Sequence, residues 1–288
     1  MPTLSRPAVL ALTAFVMVAF AANSVLARLA LATTETGAAT FTAVRLLAGA
    51  LVLVGIVTLR TRSDTVTPSR GGNWASAVAL FVYAAAFSFA YLSLATGTGA
   101  LLLFGAVQLT MIGWGLVHGE RFGPVRTLGL VLAMGGLVVL VAPGVEAPPL
   151  GAAVVMALSG AAWGAYSLRG RGAVDPVAVS AGNFWRAAIL GGGLVVAVVA
   201  WPGPELRADA PGLGYGVLSG ALTSGLGYVL WYRVLPHLRA ASAATVQLSV
   251  PVLAALGGVA FVGEAVTLRL AVATVATLGG IALVVRGE

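Results

Sequence analysis

Two glutamines, Gln108 and Gln247, interrupt long apolar stretches of this chain. A glutamine offers two N–H donors and a carbonyl acceptor without net charge, which suits an amino or carboxyl group of a small organic molecule. The same side chain can instead bond to backbone freed by a nearby helix bend, and the sequence leaves both uses open. Asn23 stands in a similar position near the start of the chain, where an interhelical hydrogen bond is the structural alternative. Tyr91, Tyr228 and Trp231 can supply apolar walls for an organic ligand. Trp74 and Trp201 fit better as anchors at a membrane interface.

Arg45 and Arg186 lie too deep in apolar sequence to be loop charges. A cation there needs a partner or a water-filled cavity. It can neutralise a carboxylate of a bound molecule, or it can lock helices through a salt bridge; the second reading is preferred. None of the nine carboxylates falls within an apolar stretch, so the partners must come from stretch ends. The histidines, His118 and His237, are far apart and show no H-E-x-x-H spacing for zinc. The chain has no cysteine and no lysine, which removes disulfides, thiol nucleophiles and a lysine-bearing phosphate loop. No cofactor and no metal are expected, and an enzyme that modifies lipids would need a cluster of acids or histidines that is not visible.

The elements that position these residues follow from composition. Charged residues are 9% and hydrophobic residues 59% of 288, with 38 glycines in addition; a soluble domain carries roughly 25% charge. Such a chain cannot cover a surface facing water. It reads as an all-α integral membrane protein. Net charge +7 does not indicate nucleic acid, because the arginines fall singly or in pairs between apolar stretches. Spans of the roughly 20 residues needed to cross a bilayer are predicted near residues 8–32, 37–59, 74–95, 98–117, 125–142, 150–168, 176–200, 211–234, 240–262 and 268–285. The first is too long for a signal-peptide core. With the N-terminus inside, eleven arginines fall in inner segments and two, Arg207 and Arg269, in outer loops. Both termini are therefore expected in the cytoplasm, and the chain in the cell membrane. By depth, Arg45 shares the outer half with Glu264, and Arg186 the inner half with Glu120. Cross-half pairs Arg45–Glu264 and Arg186–Glu120 are expected, serving as outer and inner gates, with long side chains reaching toward the interface.

The chain also repeats itself. Gly119-Glu120 recurs as Gly263-Glu264 and Gly135-Gly136 as Gly279-Gly280, each 144 positions later. Val107-Gln108-Leu109-Thr110 recurs as Val246-Gln247-Leu248-Ser249, and Arg45 as Arg186. Halves 1–142 and 150–285 hold five spans each. An odd number makes the second copy enter from the opposite side, a recurring plan among transporters. In the order and spacing of these motifs, the chain over about 8–286 resembles the drug/metabolite transporter superfamily, in its EamA-type branch. The resemblance implies ten transmembrane helices as two inverted five-helix repeats, the first, third and fourth helices of each repeat surrounding a central cavity. One departure is plain: the proline typical of the fourth helix appears as Pro251, but Met111 and Ile112 occupy that stretch in the first half.

The same resemblance puts Gln108, Gln247 and Asn23 at the cavity. Aligned first helices pair Phe20 with Trp163 and Asn23 with Tyr166, implying cavity positions for Trp163 and Tyr166. The four-helix multidrug relatives of the superfamily carry a buried glutamate in their first helix, and this chain has Asn23 but no acid there. Neutral or zwitterionic cargo, such as an amino acid, is therefore expected, carried by a secondary transporter working as an exporter. An importer or a channel-like facilitator is the alternative on the same fold. Gly129, Ala133, Gly135 and Gly136 in the fifth span, and Ala276, Gly279 and Gly280 in the tenth, are small-residue surfaces. They suit either packing within the chain or a homodimer face.

Overall fold

In the computed structural model the described residues are 5–63, 71–119, 123–144, 146–171, 173–200, 206–238 and 246–286. They form helices and no strand. Helices α1 (Arg6–Thr33), α2 (Ala38–Ser63), α3 (Trp74–Tyr91), α4 (Thr96–Val117) and α5 (Pro124–Val141) make the first half. Helices α6 (Leu150–Arg169), α7 (Pro176–Val199), α8 (Ala210–His237), α9 (Ser249–Val262) and α10 (Leu268–Arg286) make the second. Nine of these are long and apolar enough to cross a membrane; α9 is shorter over its described residues.

Local chemistry sets the ends. Asn73 caps α3 by accepting from the Ser76 N–H. Asp175 caps α7 from just before Pro176, accepting from Val177 and Ala178, and Asp209 caps α8 through the Gly212 N–H. Proline just inside a helix start loses nothing, since its missing N–H would lack a helical partner there. The repeated Gly-Glu pair has a backbone origin. Gly119 and Gly263 both take positive φ, 94° and 76°, the left-handed conformation that ends helices and that other residues adopt at a cost. Each glycine stops the fourth helix of its half and turns the chain toward the next.

Lipid is as apolar as leucine, so burial from water does not hold transmembrane helices together; close packing and polar bridges do. Large side chains such as Leu10, Leu51, Val131, Val196 and Val275 accordingly point outward. Between helices stand alanine, glycine and serine. At Gly160 of α6 a side chain would collide with the Leu103 carbonyl of α4. The most extensive helix contacts are α5 with α10, α2 with both α7 and α8, and α6 with both α3 and α4; α1 packs on α8 and α9. Exchanging the halves turns α3–α6 into α8–α1 and α4–α6 into α9–α1, and leaves α2–α7 and α5–α10 unchanged. Two inverted copies would pair in this way. Gly129, Ala133 and Gly136 meet Gly280 and Thr277 inside the α5–α10 contact, whereas no described residue comes within 4 Å of where a Cβ would stand at Gly135 or Gly279.

Two helices depart from uniform geometry. Residues Ser219–Leu226 of α8 form a π-helical segment, a widened turn that is frequent at functional positions. Helix α4 is continuous from Thr96 to Val117, while its counterpart α9 begins only at Ser249, with Pro251 in its first turn.

Candidate functional site: a central cavity

A cavity of about 390 Å³ lies between the halves. Its wall comes from α1 (Phe20, Asn23), α3 (Tyr83, Phe87), α4 (Val107, Gln108), α6 (Trp163), α8 (Thr223, Tyr228, Trp231) and Gln247 just before α9. Toward one end it is lined by Arg126, Gly170 and the exposed Arg171. The described wall holds arginines but no carboxylate. Aromatic rings pack around it, tilted in Tyr83–Trp163 at 4.8 Å and Trp163–Tyr228 at 5.1 Å, and edge to face in Phe20–Tyr228 at 6.0 Å and Phe20–Trp231 at 6.2 Å between centroids. Such a wall gives a large, rigid apolar contact surface with a negative ring face.

At the deep end of the cavity Asn23 organises the polar groups. Its Oδ1 accepts from Ser219 Oγ at 2.6 Å and from Arg45 Nη2 at 3.3 Å, and Thr223 Oγ1 at 3.1 Å shares its one proton between that oxygen and the Ser219 carbonyl at 2.7 Å. Its Nδ2 donates to the Tyr83 hydroxyl at 3.3 Å. Arginine only donates, so the Asn23 atom facing it must be the oxygen. The π-helical segment of α8 brings both hydroxyls to this point, and Gly220 on the same turn lets α8 approach the Arg45 backbone. Sequence reasoning missed Ser219, Thr223 and Tyr83. The signal was the mid-span run Ser219-Gly220-Ala221-Leu222-Thr223-Ser224, whose small polar residues have no purpose on a lipid face.

Beyond Asn23, away from the end that Arg126 and Arg171 line, a network joins the halves. Arg28 Nε donates to Glu264 Oε1 at 3.0 Å, and its Nη1 donates to the carbonyls of Tyr91 at 2.9 Å and Leu92 at 3.3 Å. Glu264 Oε2 accepts from the Thr96 N–H at 2.7 Å. Only 20% of the Arg28 side chain and 15% of the Glu264 side chain are exposed. Farther out, Thr36 donates to Asp209 at 2.6 Å and Arg207 reaches Glu35 at 3.2 Å.

The structure therefore corrects one expected ion pair. Glu264 bonds to Arg28 rather than to Arg45. Arg28 lies little more than one turn from the end of α1 and reaches the α9–α10 turn, while Arg45 turns inward to Asn23 with only 2% exposure. Arg186 donates to the backbone carbonyls of Gly71 at 3.2 Å and Gly182 at 2.9 Å; its expected partner Glu120 lies outside the described residues. Asn23, Gln108, Trp163, Tyr228, Trp231 and Gln247 share the cavity wall. Tyr91 and Tyr166 stand off it. The Tyr91 hydroxyl donates to the Thr96 carbonyl at 3.2 Å beside the closing network. Tyr166 stacks behind Trp163 at 5.3 Å, its hydroxyl accepting from Asn183 Nδ2 at 3.5 Å. Each sits at a place where its helix face turns from the cavity to a neighbour.

A helical bundle with a central cavity, lined from both halves and closed toward one side, is the architecture of a membrane carrier. Residues 150–286 match the EamA-like transporter family. The chain is 56% identical over 255 residues, 88% of its own length and 86% of the relative's, to Uncharacterized protein PA1977 of Pseudomonas aeruginosa. A crystal structure of a protein 19% identical in sequence superposes with a TM-score of 0.66, covering 97% of this chain and 98% of that one; that likeness is one of fold. The chain belongs to the EamA-like transporter family and is a multi-pass membrane protein.

Proposed function

We propose that this protein is a secondary transporter that exports a small neutral or zwitterionic metabolite, such as an amino acid, across the cytoplasmic membrane. The observation that carries this reading is a cavity closed on one side by a cross-half ion pair, Arg28–Glu264, and lined toward the other side by Arg126 and Arg171. On the positive-inside rule the arginine-bearing end faces the cytoplasm, so the conformation described here loads from within. Rocking of 150–285 against 1–142 would then break the Arg28–Glu264 contact and present the cavity outside. A channel would need a path past Arg28, Glu264 and the Thr36–Asp209 junction, and those contacts stand in the way.

Gln108 and Gln247 contact the cargo from opposite walls in this reading, offering donors and acceptors to its polar groups. The aromatic wall takes its carbon skeleton. Counterflow in proteoliposomes tests the proposal: a carrier gives saturable uptake stimulated by unlabelled solute on the far side. Uptake that is linear in concentration and indifferent to trans solute would overturn it.

A further inference from the structure

Arg45 is a membrane-buried cation without a counter-ion among the described residues. Its guanidinium sits 4.6 Å from the Phe87 ring centre, 5.5 Å from Tyr83 and 5.9 Å from Phe41. Ring faces compensate a cation in part. Nη2 has the Asn23 carbonyl oxygen, at a long 3.3 Å, and Nη1 has no hydrogen-bond acceptor among the described residues. Both lone pairs of that oxygen are engaged, by the Ser219 hydroxyl at 2.6 Å and by Arg45, while the single Thr223 proton lies nearer the Ser219 carbonyl at 2.7 Å. A buried charge left in this condition is costly and is retained where it serves a function.

Its position says what that function is. Asn23, Tyr83 and Phe87 touch Arg45 on one side and line the cavity on the other. The guanidinium is one side chain behind the wall. Asn23 directs its oxygen at Arg45 and its amide N–H at Tyr83, so the groups here are rich in donors and short of acceptors. No carboxylate on the described wall competes for them. An anionic oxygen entering beside Asn23 would meet the spare Nη1 donor and relieve the shared carbonyl.

We infer that Arg45, with Asn23 and Tyr83, forms a buried carboxylate subsite in the cavity. The cargo carries a carboxylate on an apolar or aromatic body, with the carboxylate at Arg45 and the body against Trp163, Tyr228 and Trp231. This inference rests on the carrier reading and names the cargo group that the deep end of the cavity selects.

The test uses the full-length protein in lipid nanodiscs. Thermal shift and equilibrium binding are measured with the common zwitterionic L-amino acids, each beside its own carboxamide, and with sodium chloride as the inorganic anion alone. One or more acids should bind, and their amides should bind at least about thirtyfold more weakly, the lower end of what losing a buried charge partner costs. Arg45→Gln should abolish the preference. Because Arg45→Gln can also disturb folding, Asn23→Asp is the companion variant: it places a carboxylate beside Arg45, keeps the helices tied, and should occlude the subsite with unliganded Tm held or raised. Equal binding of acid and amide, an acid preference that survives Asn23→Asp, a shift reproduced by chloride alone, or no binding by any acid would each overturn the subsite. Counterflow of a neutral solute without acid preference would do so too, while leaving the carrier reading intact; loss of counterflow for every solute would remove the carrier reading itself.

Discussion

At Gln108 and Gln247 a neutral side chain meets the cavity from each half, on helix α4 and just before α9. Truncation removes donors and an acceptor and leaves the surrounding helix contacts in place. Gln108→Ala and Gln247→Ala should therefore each raise KM or lower the rate of counterflow by about tenfold, the range for one or two lost hydrogen bonds to bound solute. Membrane insertion and Tm should stay near those of the parent. Full activity in both variants would return the glutamines to a structural role. These residues were legible because an amide inside an apolar span is conspicuous. The partner of Glu264 was not. Counting residues gives depth along a helix but not the direction in which a side chain leaves it, and Arg28 and Arg45 differ in just that respect. Tyr91 and Tyr166 failed for the same reason: the right helix, the wrong face.

Among the elements, the turn at Gly263 places Glu264. With φ at 76°, a Cβ there meets backbone strain but no neighbour among the described residues, so Gly263→Ala isolates conformation from packing. It should cost about 1–2 kcal/mol, read as a lower Tm, and loosen the Arg28–Glu264 contact. An unchanged Tm would show that the turn is not held left-handed. The start of α8 gives a pH prediction. The Thr36 hydroxyl, and after it the N–H groups of Glu35 and Gly212, hold the Asp209 carboxyl below the usual aspartate range. A lowered carboxylate stabilises the fold above its unfolded value of about 3.9 and loses that contribution as pH falls through the folded value. Asp209→Ala should lower Tm near neutral pH, and the gap should close on acidification below about pH 3.9; a gap independent of pH would contradict this. The caps and prolines were readable from local chemistry. The π-helical turn of α8 was not, since it arises where Ser219 and Thr223 turn toward an asparagine almost 200 residues away in sequence.

For the whole molecule, the repeat of Gly-Glu and of Val-Gln-Leu, together with the odd number of spans in each half, was enough to expect two inverted halves, though not which helices pair between them. The cavity followed from that plan. What it did not disclose was the state of the molecule, closed at Arg28–Glu264, because an ion pair between halves depends on how far each half is tilted rather than on either half's own sequence. The chain carries no native cysteine, so one can be introduced at Ser224, on the cavity wall, and probed with a membrane-impermeant thiol reagent from either side. Ser224→Cys should react from the arginine-rich face in the parent background, and adding Glu264→Gln should open reaction from the opposite face. Labelling from that opposite face in the parent, or a pattern untouched by Glu264→Gln, would contradict the account of one cavity exposed to the two sides in turn.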